Sequence, residues 1–264
     1  MSSSSLIPRV FRRTDLSRRE MLGLAAKGAA SVAVTQALVA CGGDSLTSTG
    51  SDTSASSSTS ACVLTAALTE GPFFVDEMLN RSDIRYDPVT GALSDGVLLD
   101  LTFNVTRASS SACTPLTGAY LDVWHADSTG TYSDVSGNGN GSAGAGKKFL
   151  RGYQVTDADG VVKFVTIYPG WYSGRAVHIH FKLRIYAGTT KTYEFTSQFF
   201  FDDALTDTVQ AGAPYNTKGQ RNVRNAQDGI YNSLSDAEKK VLTLSTSNAG
   251  GVFSGVINLA VNVG

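Results

Sequence analysis

Between positions 170 and 183 the chain reads GWYSGRAVHIHFKL, which sets Tyr172, Arg175, His178 and His180 close together. The whole chain has only 3 histidines, so two of them one residue apart stand out. Residues i and i+2 of a strand project to one face, so His178 and His180 point one way while Ile179 and Phe181 turn toward a core. Two imidazoles on a rigid strand make half of a metal site, because neutral imidazole is a ligand for zinc, copper and iron. The other half must come from elsewhere. The remaining histidine, His125, reads as a residue that lines a pocket or hydrogen-bonds within the fold rather than as a ligand. The nearest acids do not make a two-histidine, one-carboxylate spacing obvious. Tyrosine is abundant, with 10 in the chain, and a tyrosinate is a hard anionic donor suited to a ferric ion. Each residue also has a bland reading when taken alone. The two histidines can be structural, Tyr132 a rim aromatic, Tyr172 an ordinary turn aromatic, Arg175 a solvated charge and Gln198 an edge polar residue.

These side chains need a frame, and the sequence alternates as strands do. Val97, Leu99, Leu101, Phe103 and Val105 fall on one face of a run ending at Thr106. Ala119 to Trp124 repeats the pattern, and Asp157-Ala158-Asp159-Gly160 is a turn leading into the β-branched run Val161 to Ile167. Ile179, Phe181, Leu183 and Ile185 alternate with His178, His180, Lys182 and Arg184, and Val256 to Val263 closes the chain with a further strand. Only Ser235 to Leu244 reads as helix, with Ser235 as N-cap and Glu238 three residues later. Many strands at regular spacing predict an all-β protein, a β-sandwich with few short helices.

The chain has 264 residues and a net charge of −1, with no basic block in its body, so no nucleic-acid partner is expected. Residues 1–40 read as a targeting segment. Ser17-Arg18-Arg19-Glu20-Met21-Leu22 resembles the twin-arginine export signal, with Met21 where phenylalanine is usual. A mildly apolar run then ends in Leu38-Val39-Ala40-Cys41, which resembles a lipobox with Cys41 as the lipidated residue. The other reading is an amphipathic helix with a stray cysteine. An exported product is expected, secreted or held at a membrane surface through Cys41. Residues 41–61 are a Ser/Thr/Gly-rich spacer, and 62–264 form one domain. The two cysteines of that domain, Cys62 and Cys113, read as a disulfide in an exported protein, or else as two buried thiols.

From Glu70 to about Asp202 the sequence resembles the intradiol ring-cleavage dioxygenases. The resemblance rests on Glu70-Gly71-Pro72-Phe73-Phe74, on the run Gly118 to Asp127 followed by Gly130-Thr131-Tyr132, on Thr166 to Tyr172, on Arg175 to Phe181 and on Thr196 to Phe201. It implies a catalytic domain in which Tyr132, Tyr172, His178 and His180 bind one Fe(III). It also implies a catechol-type substrate opened by O2 to a cis,cis-muconate-type diacid. Tyr172 would be the ligand that leaves and takes a substrate proton. Arg175 would stabilise charge on the ring, and Gln198 would orient the substrate. The twin-arginine route carries folded proteins, which suits a protein that must first acquire a cofactor.

The sequence also departs from the family. Only Ser173 and Gly174 separate Tyr172 from Arg175, the helical N-terminal dimerisation region is absent, and a polar insert spans Ser136 to Ser142. These changes open the pocket and point to catechols, hydroxyquinol or lignin-like fragments with bulky substituents. The alternative is an exported metal-containing β-sandwich that binds phenolics without turnover, against which Arg175 and Gln198 speak, since neither is needed to hold iron. A zinc hydrolase is disfavoured, because tyrosine is a poor partner for zinc and no glutamate is placed as general base. The sequence carries no signal for an oligomeric state.

Overall fold

The computed structural model describes residues 62–264 apart from 110, 111, 138 and 264. The export-like segment, Cys41 and the whole of the expected spacer lie outside the described residues. Nine strands form two sheets: β1 (Leu98–Ala108), β2 (Cys113–Pro115), β3 (Tyr120–Trp124), β4 (Arg151–Val155), β5 (Val161–Ile167), β6 (His178–Ala187), β7 (Thr190–Phe200), β8 (Ser245–Ala249) and β9 (Val252–Val261). The first sheet runs β2-β1-β9-β8 with β5 also paired to β1, and the second runs β4-β3-β6-β7. All neighbours are antiparallel except β1 and β9.

The alternation in the sequence becomes the sandwich core. Leu99, Leu101, Phe103 and Val105 of β1 bury one face and meet Phe181 and Phe199 of the other sheet, with Phe103 ring centroids 5.9 Å from both. Burying that apolar area stabilises the fold by about 1.5–3 kcal/mol per large side chain. Cys62 and Cys113 are bonded to each other with Cα atoms 5.8 Å apart, tying the start of the domain to β2.

The helical content exceeds the sequence expectation of one helix. The expected helix forms as α3 (Asp236–Leu242), closed by the Ser235/Glu238 capping box. Two others precede it, α1 (Asp203–Gln210) and α2 (Gly229–Asn232). In α1 the β-branched Thr206, Thr208 and Val209 have low helix propensity, and the apolar repeat is too sparse to stand out. The Asp202 carboxylate nevertheless starts the helix by accepting the Leu205 N–H at 2.9 Å. Helix α2 has only 4 residues and shows no period at all.

The second face of the β3-β6-β7 sheet is also covered, by an extended strap over residues 66–80. Ala66 O accepts the Ser197 hydroxyl at 2.7 Å, and the Leu68 N–H donates to Thr196 O at 3.0 Å. Glu70 pairs with Lys182, Asp76 with Arg184 at 2.6 Å, and Lys182 Nζ lies 3.8 Å over the Phe74 ring. The polar residues of β6 are therefore buried between sheet and strap.

Candidate metal centre

Strand register places the site. His180 of β6 lies opposite Trp124 of β3 on one side and Gln198 of β7 on the other, and His178 lies opposite Phe200. Cross-strand partners share a face, so Trp124, His180, His178 and Gln198 all look toward the strap. Tyr132 comes from the loop after β3 and Tyr172 from the turn after β5. Gly170 sets that turn, because a Cβ there would lie 2.4 Å from Ser128 O and 2.5 Å from Asp127 O. Only glycine lets the two loops approach so closely.

His178 Nδ1 donates to Ala176 O at 2.6 Å, which leaves Nε2 with the lone pair. Around that nitrogen lie Tyr172 Oη at 3.1 Å, Tyr132 Oη at 3.4 Å, His180 Nε2 at 3.0 Å and Arg175 Nη1 at 3.5 Å. One lone pair accepts one well-aligned donor, so a simple hydrogen-bond network does not account for two phenol oxygens and a second imidazole nitrogen converging on it beside the Arg175 guanidinium. A cation shared by the two phenols and two imidazoles would. Imidazole nitrogens bind such ions at about 2.0–2.1 Å, so two at right angles sit about 3.0 Å apart. The two phenols and two imidazoles fit a ferric ion by donor type as well. Among the described residues no group of three or more His, Cys, Asp or Glu could hold a metal, so any ion here depends on the tyrosines.

Burial sets the charge states. It pushes His178 down to about 3, helped by the Arg175 charge, and takes His180 well below its usual range, so both imidazoles are neutral donors. It pushes the Tyr132 and Tyr172 phenols up, Tyr132 strongly, so ionising them calls for a cation at the site. The two tyrosines differ in access: Tyr132 is 1% exposed, stacked on Phe73 at 4.5 Å, whereas Tyr172 is partly exposed.

Arg175 and Gln198 join the same cluster, with Arg175 Nη2 donating to Gln198 Oε1 at 2.7 Å and Gln198 Nε2 to Thr69 O at 2.7 Å. His125 stays apart, as expected. Its Nδ1 donates to Ala126 O at 2.8 Å and its Nε2 accepts from Thr166 Oγ1 at 2.6 Å, so neither nitrogen is free. Burial holds it neutral, down to about 4.

Two supporting residues carry no sequence signal. Asp228 is fully buried; its Oδ2 accepts from Arg175 Nε and from the Ala176 N–H, both at 2.8 Å, while its Oδ1 accepts from Ile230 N at 2.8 Å and Tyr231 N at 3.1 Å. Burial works against its ionisation, but the Arg175 charge and the backbone N–H groups hold the carboxyl below its usual range. Asn140 lies in the polar insert of residues 136–142. It serves as a bracket for Tyr132, accepting from its N–H at 2.7 Å and donating to its carbonyl at 3.0 Å. A short polar side chain in a glycine-rich loop looks the same in sequence whether it braces a ligand or faces solvent.

Comparison with known proteins follows the same site. The family model Dioxygenase (Dioxygenase_C) matches residues 69–227. An intradiol ring-cleavage dioxygenase from Tetranychus urticae is 30% identical with a TM-score of 0.63, covering 76% of this chain and 95% of that one. The dioxygenase domain of a dioxygenase carbohydrate-binding protein fusion from Streptomyces sp. SirexAA-E is 27% identical with a TM-score of 0.52, covering 76% and 100%. The 3-chlorocatechol 1,2-dioxygenase of Rhodococcus opacus 1CP, 19% identical with a TM-score of 0.50 over 76% and 73%, shares the fold. Curated protein sequences give no significant match. With the model spanning more than half of the chain, this protein belongs to the intradiol ring-cleavage dioxygenases, a family of non-haem iron oxidoreductases.

Proposed function

We propose that the chain binds one Fe(III) through Tyr132, Tyr172, His178 and His180 and inserts both atoms of O2 into a catechol-type ring, giving a cis,cis-muconate-type diacid. The observation that carries this is the convergence of two phenol oxygens and a second imidazole nitrogen on His178 Nε2, with Arg175 beside them. A ferric ion held by these four side chains would supply the electron withdrawal that makes a catechol ring carbon reactive toward O2.

The protein's own groups do the rest. Tyr172 is the more accessible phenol, so it is the one placed to give way to a substrate hydroxyl and take up its proton. Tyr132, buried and bracketed by Asn140, stays in place. The Arg175 guanidinium is aimed at the site by Asp228 and Gln198. There it stabilises negative charge as it builds on the ring, an interaction stronger in the transition state than in the ground state. Gln198, fixed at both ends of its amide, orients the substrate. Trp171 and Tyr172 are both partly exposed, so the site opens toward the surface on that side.

The work is done outside the cytoplasm, a reading supported by the export-like residues 17–22 and 38–41 and by the Cys62–Cys113 bond, which suits an oxidising compartment. Cys41 would then hold the chain at a membrane surface. Among the described residues no helix is long and apolar enough to cross a membrane. Oxygen uptake by the purified protein with catechol tests the reaction. The expected product carries both atoms of labelled O2, whereas catechol binding without oxygen uptake would leave a binding module.

A further inference from the structure

Six buried side-chain polar atoms have no hydrogen-bond partner among the described residues, and the residues that carry three of them line one small cavity behind the metal centre. They are Glu77 Oε1 from the strap, Trp124 Nε1 from β3 and Arg151 Nη1 from β4. Trp124 is 1% exposed, Arg151 2%, and the Glu77 side chain 6%. Leaving such groups unmade costs about 1–3 kcal/mol each, more for charged ones. The other atoms of these groups are engaged. Glu77 Oε2 pairs with Lys148, and Arg151 Nε and Nη2 bond Ser133, next to Tyr132. The cavity has room for a single water, about 10 Å³, which is close to the least that holds one. Of the polar groups in its lining, two donors and one acceptor are unpartnered, while the Asp122 carboxylate is already paired with Arg184. A chloride would be repelled by Glu77 and a cation by Arg151, whereas a water can accept from Trp124 and Arg151 and donate to Glu77.

The site matters because of what Trp124 touches. Its ring stacks on His180 with centroids 4.9 Å apart and planes 9° from parallel. A metal-binding histidine is ordinarily oriented by a hydrogen bond at its second nitrogen. His180 has none, since its Nδ1 is among the unpartnered atoms. Its ring orientation therefore rests on the stacked indole, and that indole lines the cavity with its only polar atom unpartnered. We infer that Glu77, Trp124 and Arg151 bind one buried water that locks Trp124 against His180, making Trp124 and Glu77 positioning residues for the metal centre. The inference rests on His180 being a ligand, as proposed above, but the water site itself does not.

Two measurements separate the parts. A high-resolution crystal structure, with or without iron, is expected to show one ordered water within hydrogen-bond reach of all three atoms. A direct Glu77–Arg151 contact with the cavity closed would overturn the inference whatever the metal. In the iron-loaded protein, Trp124→Phe keeps a ring but deletes the donor, and Glu77→Leu deletes the acceptor. Each is expected to speed iron removal by a chelator about tenfold, the lower end of what losing an outer partner costs a metal site. Lys148→Met breaks the ion pair on the other Glu77 oxygen and should release iron at the wild-type rate. Wild-type rates in both Trp124→Phe and Glu77→Leu, or an equal acceleration in Lys148→Met, would reduce the cluster to general packing. Failure of the wild-type protein to hold iron would instead count against the proposed function, with the crystallographic result still deciding the water site.

Discussion

Replacing Asp228 by alanine removes a carboxylate that serves four donors at once. Arg175 Nε loses its ion pair, and the N–H groups of Ala176, Ile230 and Tyr231 lose their acceptor. Breaking a buried pair by deleting one partner costs about 3–5 kcal/mol. The Arg175 side chain is 17% exposed, so water recovers part of that and the lower end, about 3 kcal/mol, is expected. For a domain of this size each kcal/mol moves Tm by about 2–4 °C, so the midpoint should fall by roughly 6–12 °C. The pH dependence follows from the depressed Asp228 carboxyl. A carboxyl depressed in the folded state stabilises above its unfolded value, about 3.9, and loses that contribution as pH falls through the folded value. The stability gap between wild type and Asp228→Ala should therefore be full at neutral pH and shrink below about pH 4. Thermal unfolding of both proteins across pH 3–7 reads this out. A gap under about 1 kcal/mol at pH 7, or one that widens in acid, would refute the idea that Asp228 braces Arg175.

Three other outcomes are expected. Arg175→Ala should keep its metal and its spectral response to catechol while turnover falls about 10²–10³-fold, with Arg175→Lys recovering only part; wild-type turnover in Arg175→Ala would make Arg175 a surface charge. Gly170→Ala drives a Cβ against Ser128 O and Asp127 O and should destabilise the fold while displacing Tyr172, seen as metal loss in protein that still folds; unchanged metal content would contradict the packing argument. Cys62 and Cys113 close a loop with a separation of 51 residues, for which chain entropy gives about 4 kcal/mol, so denaturation midpoints measured with and without reductant should differ clearly, and equal midpoints would mean that the bridge constrains little.

The strand alternation made the sandwich legible, because period-two burial shows directly in β1, whereas β6 alternates only in residue type and is buried on both faces. The His178/His180 pair was legible for the same reason. Tyr132 and Tyr172 were not, on spacing alone. They reach the histidines through loops whose paths depend on tertiary contacts such as the Gly170 approach, and only the family resemblance named them. Asp228 was invisible. It lies 53 residues from Arg175 in sequence and starts a helix too short to show a period. Helix α1 was missed because its threonines weaken propensity while a single cap at Asp202 restores it. The face of β6 bearing Lys182 and Arg184 alternates like a solvated one, yet the strap buries it, since charges there are paired with Glu70, Asp76 and Asp122.

The central claim is that two tyrosines and two histidines hold a ferric ion. Metal analysis of the purified protein, taken together with its visible absorption spectrum, tests it most directly. One iron per chain and a coloured protein are expected, from charge transfer between tyrosinate and iron, with the colour altered in Tyr132→Phe and the iron lost in His178→Ala and His180→Ala. Active protein that contains zinc and no iron, or that holds iron without the tyrosinate absorption, would contradict it.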